Sequence, residues 1–366
     1  MTDSRWPTWL PLRESLAPLS AYGAPQVEAE ASLNTNENPF SLSPELVSAI
    51  AARVAEVATS LNRYPDRDAL SLRSGLASYI NELAGTSFSA PQVWVANGSN
   101  EIIQSLFLAF GDRGAIGFLP SYSMHPLIAR VTSTQWVDGR RRSDFSLDVD
   151  SAITQITAAA PALTFITTPN NPTGEAISIN DIEKIAKSVP GLLVVDEAYA
   201  EFSDETSAVT LIAKYPQIVV IRTMSKAFSF AGARVGYLLA HPSVVEAMML
   251  VRLPYHLSTL TQGAALVALD FKDELLSGVA QLRTQRDRVA ASLREMGLTV
   301  LPSQANFLLF TGFTSSSAQL WQEMLDRGIL IRDVGLSGYL RTTIGTGAEN
   351  EKFLHALREC LAKEKS

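Results

Sequence analysis

Cysteine is almost absent. A single thiol, Cys360, stands in a chain of 366 residues, which excludes an internal disulfide framework. The pattern around it predicts a surface helix at the C-terminus, so the thiol reads as incidental rather than nucleophilic. Long apolar runs are also missing. No uncharged stretch reaches the ~18 residues that a membrane-spanning helix requires, so no membrane partner is expected. The opening "MTDSRWPTWLPLRESL" has an early acid, two prolines and no continuous apolar segment, unlike a secretory leader. Positive charge is not in excess either. Lys+Arg 30 against Asp+Glu 37 give a formal charge of −7, with no basic stripe to offset it, which argues against a nucleic-acid footprint. No metal site is expected. These absences predict a cytoplasmic protein that handles small molecules.

What is present is a globular composition, with 46% hydrophobic and 18% charged residues. The length suffices for two domains, or for one large α/β body with an appendage. There is no internal repeat or low-complexity segment. Short apolar runs rich in β-branched residues alternate with helical patterns: "VWVA" (93–96), "AIGFL" (115–119), "LTFITT" (163–168), "LLVVDEA" (192–198) and "IVVIRT" (218–223). Runs that are apolar on both faces and separated by helices predict a mainly parallel sheet covered on both sides. This α/β block is expected over about residues 60–265. Residues 266–366 read as a smaller α+β unit, packed with the N-terminal segment 1–59 and its irregular "LNTNENPF". A cleft between two such units is a natural ligand site.

In open parallel sheets, ligands sit beyond the carboxyl ends of the strands. After "VWVA" come Gly98, Ser99 and Asn100 at a helix start, whose free N–H groups suit an anion. Taken alone, they also fit an ordinary Ser N-cap with Glu101 nearby. After "AIGFL" comes Tyr122, an aromatic face. After "LTFITT" comes the stiff turn "PNNPTG" with Asn171. After "LLVV" comes Asp196, a carboxylate that is costly at the end of an apolar strand without a positive partner, and then Tyr199. After "IVVIRT" come the hydroxyls of Thr223 and Ser225, then Lys226, then the fork of Arg234. Singly, each has a bland structural reading. Together they supply an anion cradle, a stacking plate, an amide, an acid with a phenol, and a lysine. Pyridoxal 5′-phosphate uses all of these. Its aldehyde needs a lysine, its ring nitrogen an acid, its ring oxygen an amide and a phenol, and its phosphate hydroxyls and an arginine.

The set "PNNPTG", "DEAYAEF", "SKAFSFAGARVGY" and "YLRTTIGT", in this order and spacing, resembles the fold-type I pyridoxal-phosphate aminotransferases. "LNTNENP" (33–39), "NRYPD" (62–66) and "ANGSNE" (96–101) are similar to the actinobacterial-type histidinol-phosphate aminotransferases. The resemblance spans nearly the whole chain. It implies a large domain built on a mainly parallel seven-stranded-type sheet, plus a smaller α+β domain. It also implies an internal aldimine on Lys226, which would later shuttle a proton at the substrate Cα. Asp196 would meet the ring nitrogen, Tyr199 and Asn171 the ring oxygen, and Tyr122 the ring face. Ser99, Asn100, Thr223, Ser225 and Arg234 would hold the phosphate. Tyr64 would reach the cofactor phosphate of a neighbouring subunit in a homodimer.

On the substrate side, Arg341 would take the α-carboxylate of glutamate or 2-oxoglutarate. Arg332 and Tyr22 would take the distal phosphate of histidinol phosphate or the γ-carboxylate of glutamate. Asn36 would lie near the substrate's amine end, and Tyr255 would line the cleft. His256 stands where Asn is expected, with its role open. The implied reaction is L-histidinol phosphate plus 2-oxoglutarate giving imidazole acetol phosphate plus L-glutamate, by a ping-pong cycle. An aromatic amino-acid aminotransferase and a decarboxylase of an amino-acid phosphate share the cofactor and most of the motifs. A nicotinamide-dependent dehydrogenase would need a G-x-G-x-x-G turn, which "NGSNEI" does not provide.

Overall fold

The computed structural model describes residues 6–7, 9–21 and 23–363. The chain enters the fold through β1 (Ala31–Ser32), which pairs in parallel with β11 (Ile329–Leu330) and so ties the N-terminal segment to the C-terminal part. Two helices follow, α1 (Pro44–Ala58) and α2 (Leu70–Ala84). Ser43 starts the first by accepting from the Leu46 N–H, with Pro44 in the first turn.

The central sheet has seven strands: β2 (Val93–Ala96), β3 (Ala115–Leu119), β4 (Trp136–Arg140), β5 (Leu163–Thr167), β6 (Leu192–Asp196), β7 (Ile218–Thr223) and β8 (Gly236–Leu239). Their spatial order is β2-β8-β7-β6-β5-β3-β4. Every pair is parallel except the two that β8 makes, with β2 and β7. Because β8 alone runs backwards, its first residue lies at the same sheet edge as the last residues of the others. All five sequence-predicted runs are strands. The other two strands went unrecognised, because β4 is a largely exposed edge strand and β8 is a four-residue strand directly after a glycine-rich turn.

The strand residues sort by the period of two. Val93, Val95, Val195 and Val220 face one core, which also takes in the buried faces of α2, α5 (Val149–Ala159), α6 (Ile179–Ala186) and α9 (Lys272–Glu295). Trp94, Val194, Val219 and Leu238 face the other, with α3 (Ser99–Phe110), α4 (Met124–Val131) and α7 (Pro242–Val251). Burial of each such Val or Leu is worth about 1.5–3 kcal/mol, and burial on both faces explains the absence of polar alternation. The helix α8 (Thr259–Asp270) packs on α1 and α2.

The C-terminal part carries β9 (Thr299–Val300), β10 (Phe307–Thr311) and β12 (Leu340–Thr343) in an antiparallel sheet of order β12-β10-β9. With it pack α10 (Ser317–Leu325) and α11 (Gly347–Lys363). Cys360, expected on a surface helix, is instead buried on the inner face of α11, with Sγ 3.8 Å from Met324 Sδ. Burial pushes its thiol pKa up, which makes it still less reactive.

Candidate active site

The carboxyl ends of β2, β3, β5, β6 and β7 and the start of β8 face the N-terminal segment and β12 across a cleft of about 650 Å³. At the end of β7, Ser225 N donates to Thr223 Oγ1 at 3.1 Å, and Ser225 Oγ lies 3.0 Å from that same oxygen. Two hydroxyls are thereby set side by side at the cleft wall. Lys226 follows, and its Nζ donates to Thr35 O at 3.0 Å. Its pKa is drawn down to about 8, first by burial and then by the charges of Arg341 and Arg234, against the opposing Glu37. A lysine so placed yields its neutral, nucleophilic form near physiological pH.

The anion cradle has three walls. Gly98 caps α3 with φ 81 and no side-chain cap, so the N-cap is the glycine and not Ser99. Glu101 turns back to accept from Asn97 N at 2.6 Å, and the first N–H groups of the helix are left without a side-chain cap, as an anion site requires. A Cβ on Gly98 would come 2.6 Å from Arg234 Nη2, and one on Gly236 would come 2.4 Å from Ser99 N. Arg234 thus lies directly over the helix start, brought there by a left-handed backbone (φ 59) just before β8. Ser99, Asn100, Thr223, Ser225 and Arg234 all line this end of the cleft.

Tyr122 lines the same cleft, and its hydroxyl donates to Asn100 Oδ1 at 3.1 Å. Asp196, at the end of β6, is buried and meets His125 Nε2 at 3.1 Å through Oδ2. Its Oδ1 accepts from Ala198 N at 3.2 Å. His125 was missed by sequence reasoning. It sits inside α4 on no strand end, and only tertiary packing against Phe165 and Trp136 delivers it. Behind the site Arg222, Glu197 and Glu201 form a second unforeseen group, with Arg222 bonding Glu197 at 2.8 Å and Glu201 at 2.9 Å, all nearly inaccessible.

Tyr199 receives Asn171 Nδ2 at 3.3 Å and Asn36 Nδ2 at 2.9 Å. Burial pushes its phenol pKa up, and Arg341 works against that rise. Arg341, on β12, donates Nη1 to Asn171 Oδ1 at 2.6 Å and Nη2 to Asn34 O at 2.7 Å. Arg332 joins the rim by a two-way backbone bridge to Arg341, both N–O distances being 2.9 Å.

Tyr255, expected to line this cleft, is set back from it, and Tyr64, expected at a neighbouring subunit's site, does not line it either. Their rings stack on each other at 4.4 Å, with Tyr64 78% exposed. Tyr22 lies outside the described residues. His256 stacks on Trp94 at 5.5 Å, with Nε2 2.8 Å from Val95 O, so it packs against the outer strand rather than the cleft.

The residues present fit pyridoxal 5′-phosphate. An amine whose pKa is drawn down to about 8, a buried carboxylate, two amides on a phenol, and a glycine-lined helix start under an arginine converge on one cleft, and a Cβ at Gly98 or Gly236 would crowd that cradle. Among the described residues, no group of three or more His, Cys, Asp or Glu is placed to hold a metal ion.

The family model for aminotransferase class I and II matches residues 30–357. Histidinol-phosphate aminotransferases of Corynebacterium glutamicum (strain R) and Nocardia farcinica (strain IFM 10152) are each 53% identical to the chain. The alignments cover 96% and 97% of this chain, and 97% and 93% of theirs. Among solved structures, histidinol-phosphate aminotransferase from Sinorhizobium meliloti, in complex with pyridoxal-5′-phosphate, aligns with TM-score 0.81 at 24% identity, over 92% of each chain. A Thermus thermophilus aspartate aminotransferase double mutant aligns with TM-score 0.80 at 24% identity, over 91% of this chain and 92% of its own. Those two likenesses show the fold, the fold-type I α/β architecture expected from the sequence.

Proposed function

Because the chain belongs to the aminotransferase class I and II family, we propose that the cleft performs the transamination named by its curated relatives. The amino group of L-histidinol phosphate passes to 2-oxoglutarate, giving imidazole acetol phosphate and L-glutamate, a step of histidine biosynthesis. The observation that carries this reading is Lys226, with a lowered pKa, in the same cleft as Asp196 and the Tyr199–Asn171 pair.

When bound, pyridoxal 5′-phosphate supplies an aldehyde that captures amines and a protonated ring that draws electrons from the substrate Cα. The chain's own residues do the rest. Asp196, held in place by His125, would face the ring nitrogen and accept its N–H. Tyr199 and Asn171 bind the ring oxygen, and Tyr122 covers the ring. Ser99, Asn100, Thr223, Ser225 and Arg234 hold the phosphate. Lys226 Nζ, as a neutral amine, would take the proton from the substrate Cα, and as an ammonium would return a proton to the Cα of the second substrate. Arg341 presents its fork to the carboxylate of glutamate or 2-oxoglutarate. Arg332 and Tyr22 take the distal anion of either substrate.

The proposal extends to a cytoplasmic homodimer in which Tyr64 serves the neighbouring site. Its support is the exposure of Tyr64 away from its own cleft, beside exposed Leu61, Leu250 and Leu253 on the segments that the Tyr64–Tyr255 stack brings together. It includes a division into a cofactor-binding unit (60–265) and a smaller unit (1–59 with 266–366), supported by the separate seven-stranded and three-stranded sheets. The test compares turnover of histidinol phosphate and phenylalanine, each with 2-oxoglutarate. A preference for phenylalanine would replace the substrate with an aromatic amino acid and leave the chemistry in place. Lys226→Ala should abolish both the visible absorbance of bound cofactor and turnover; normal transamination by that variant would refute the role of Lys226.

A further inference from the structure

Asn36, expected at the substrate's amine end, is 1% exposed and held at φ 55, a left-handed conformation that Asn tolerates better than most residues. All four of its polar groups are engaged. Its backbone N donates to Thr343 Oγ1 at 3.0 Å, and Thr343 Oγ1 donates to its Oδ1 at 3.0 Å. Asn306 Nδ2 donates to its carbonyl at 3.1 Å. The remaining group, Nδ2, donates to Tyr199 OH at 2.9 Å, while Asn171 Nδ2 approaches that same oxygen at 3.3 Å.

A phenol oxygen has two lone pairs and one hydrogen. With both lone pairs occupied by amide N–H groups, the hydrogen is directed away from them. The two amide orientations are fixed by their other partners. Arg341 can only donate, so Asn171 must turn Oδ1 to it and Nδ2 to Tyr199. If Asn36 were reversed, its Nδ2 and backbone N would both donate to Thr343 Oγ1, and the bond that this hydroxyl gives to Asn36 Oδ1 would be lost.

We propose that Asn36 is a positioning residue that acts through Tyr199: by donating to the phenol oxygen it turns the phenolic hydrogen toward the cofactor's ring oxygen and strengthens that bond. The inference rests on the cofactor reading above. The charged groups facing Tyr199 are Arg341, Asp196 and Lys226, whose Nζ lies 6.0 Å from the Tyr199 ring centroid. Arg341 and the two amides favour the ionised phenol, while burial and Asp196 oppose it.

A donor to the ring oxygen stabilises the fully anionic oxygen more than the form in which a neighbouring proton shares that charge. Weakening the donor therefore raises the pH at which the bound cofactor's visible band changes. The test is Asn36→Gly, which accepts the left-handed backbone and adds no charge. In the holoenzyme the midpoint should rise by about one pH unit, a tenfold change in proton affinity. In a Tyr199→Phe background, Asn36→Gly should produce no further rise. An unchanged midpoint in a folded Asn36→Gly, or the same rise with and without Tyr199, would overturn the proposal. A second readout needs no cofactor: in protein labelled at tyrosine Cζ, the Tyr199 carbon resonance, identified by its loss in Tyr199→Phe, should move in Asn36→Gly. If it stays in place, the Asn36–Tyr199 bond is refuted. If the wild type shows no visible band while this resonance moves, the cofactor reading fails and the bond stands.

Discussion

His125 Nε2 stands 3.1 Å from Asp196 Oδ2, and both side chains are almost fully withdrawn from solvent. A buried carboxylate stays charged only if hydrogen bonds or positive charge offset the lost hydration. Asp196 has two such supports, His125 and the Ala198 N–H. His125→Phe preserves an aromatic shape between Phe165 and Tyr122 but removes the polar partner. A hydrogen bond to a charged group is worth about 1.5–3 kcal/mol. The dissociation constant for pyridoxal 5′-phosphate, read by absorbance titration, should therefore rise roughly ten- to hundredfold. An unchanged constant would show that His125 is only packing.

The lowered pKa of Lys226 predicts a pH signature in the cofactor-free protein. The folded value is about 8, against 10.5 for an unperturbed lysine. Between these pH values the unfolded chain holds more protons at this site than the folded one. The contribution of Lys226 to stability therefore rises as pH climbs from about 8 to 10.5. Below that window the buried ammonium is a liability. Lys226→Met removes the titration, so the difference in urea midpoint between wild type and variant should shift in favour of wild type from pH 7.5 to 10. Parallel midpoints over that range would contradict the lowered pKa.

Gly98 permits both the turn into α3 and the approach of Arg234. At φ 81 any other residue is strained, and a Cβ would meet Arg234 Nη2 at 2.6 Å. In Gly98→Ala the arginine must move off the helix start. Cofactor affinity should fall by roughly tenfold or more, the scale of one charge-assisted hydrogen bond. The cofactor-free protein should lose about 1 kcal/mol from backbone strain alone. Full cofactor affinity in this variant would mean that Arg234 does not hold the phosphate from above Gly98.

How much of this site could be read in advance follows from where each residue sits. Lys226, Asp196, Asn171 and Ser99 each follow a run of apolar, β-branched residues. The strand signal and the rule that ligands collect at strand ends were enough to bring them to one edge. His125 follows no strand. It lies on a helix with only its inner face buried, and nothing local distinguishes it from a core histidine. The Arg222–Glu197–Glu201 group was hidden for a different reason. Arg222 reads as one polar residue in an apolar strand, and its partners come from a turn after another strand. β8 was obscured because a four-residue strand carries too little pattern to show its direction, yet its reversal is what places Arg234 at the cleft. Asn36 lines the cleft, but its bond to Tyr199 could be found only from hydrogen-bond geometry across 163 residues of sequence.

The exposed pair Tyr64 and Tyr255 carries the last prediction. Tyr64 is 78% exposed, stacks at 4.4 Å on Tyr255 and does not line the cleft of its own chain. If it completes the partner's phosphate site, each cleft draws Lys226 from one subunit and Tyr64 from the other. Tyr64→Ala should then weaken the site by loss of a phosphate contact, and Lys226→Ala should eliminate it. Each homodimer alone is impaired. When the two are unfolded together and refolded at equal amounts, about half of the dimers are mixed, and each mixed dimer holds one doubly altered and one intact site, so roughly a quarter of all sites regain full function. Measured turnover of the mixture should exceed the average of the separate variants by about a quarter of the difference between wild type and Tyr64→Ala. If both residues served the cleft of their own chain, every site in a mixed dimer would carry one lesion, and mixing would restore nothing.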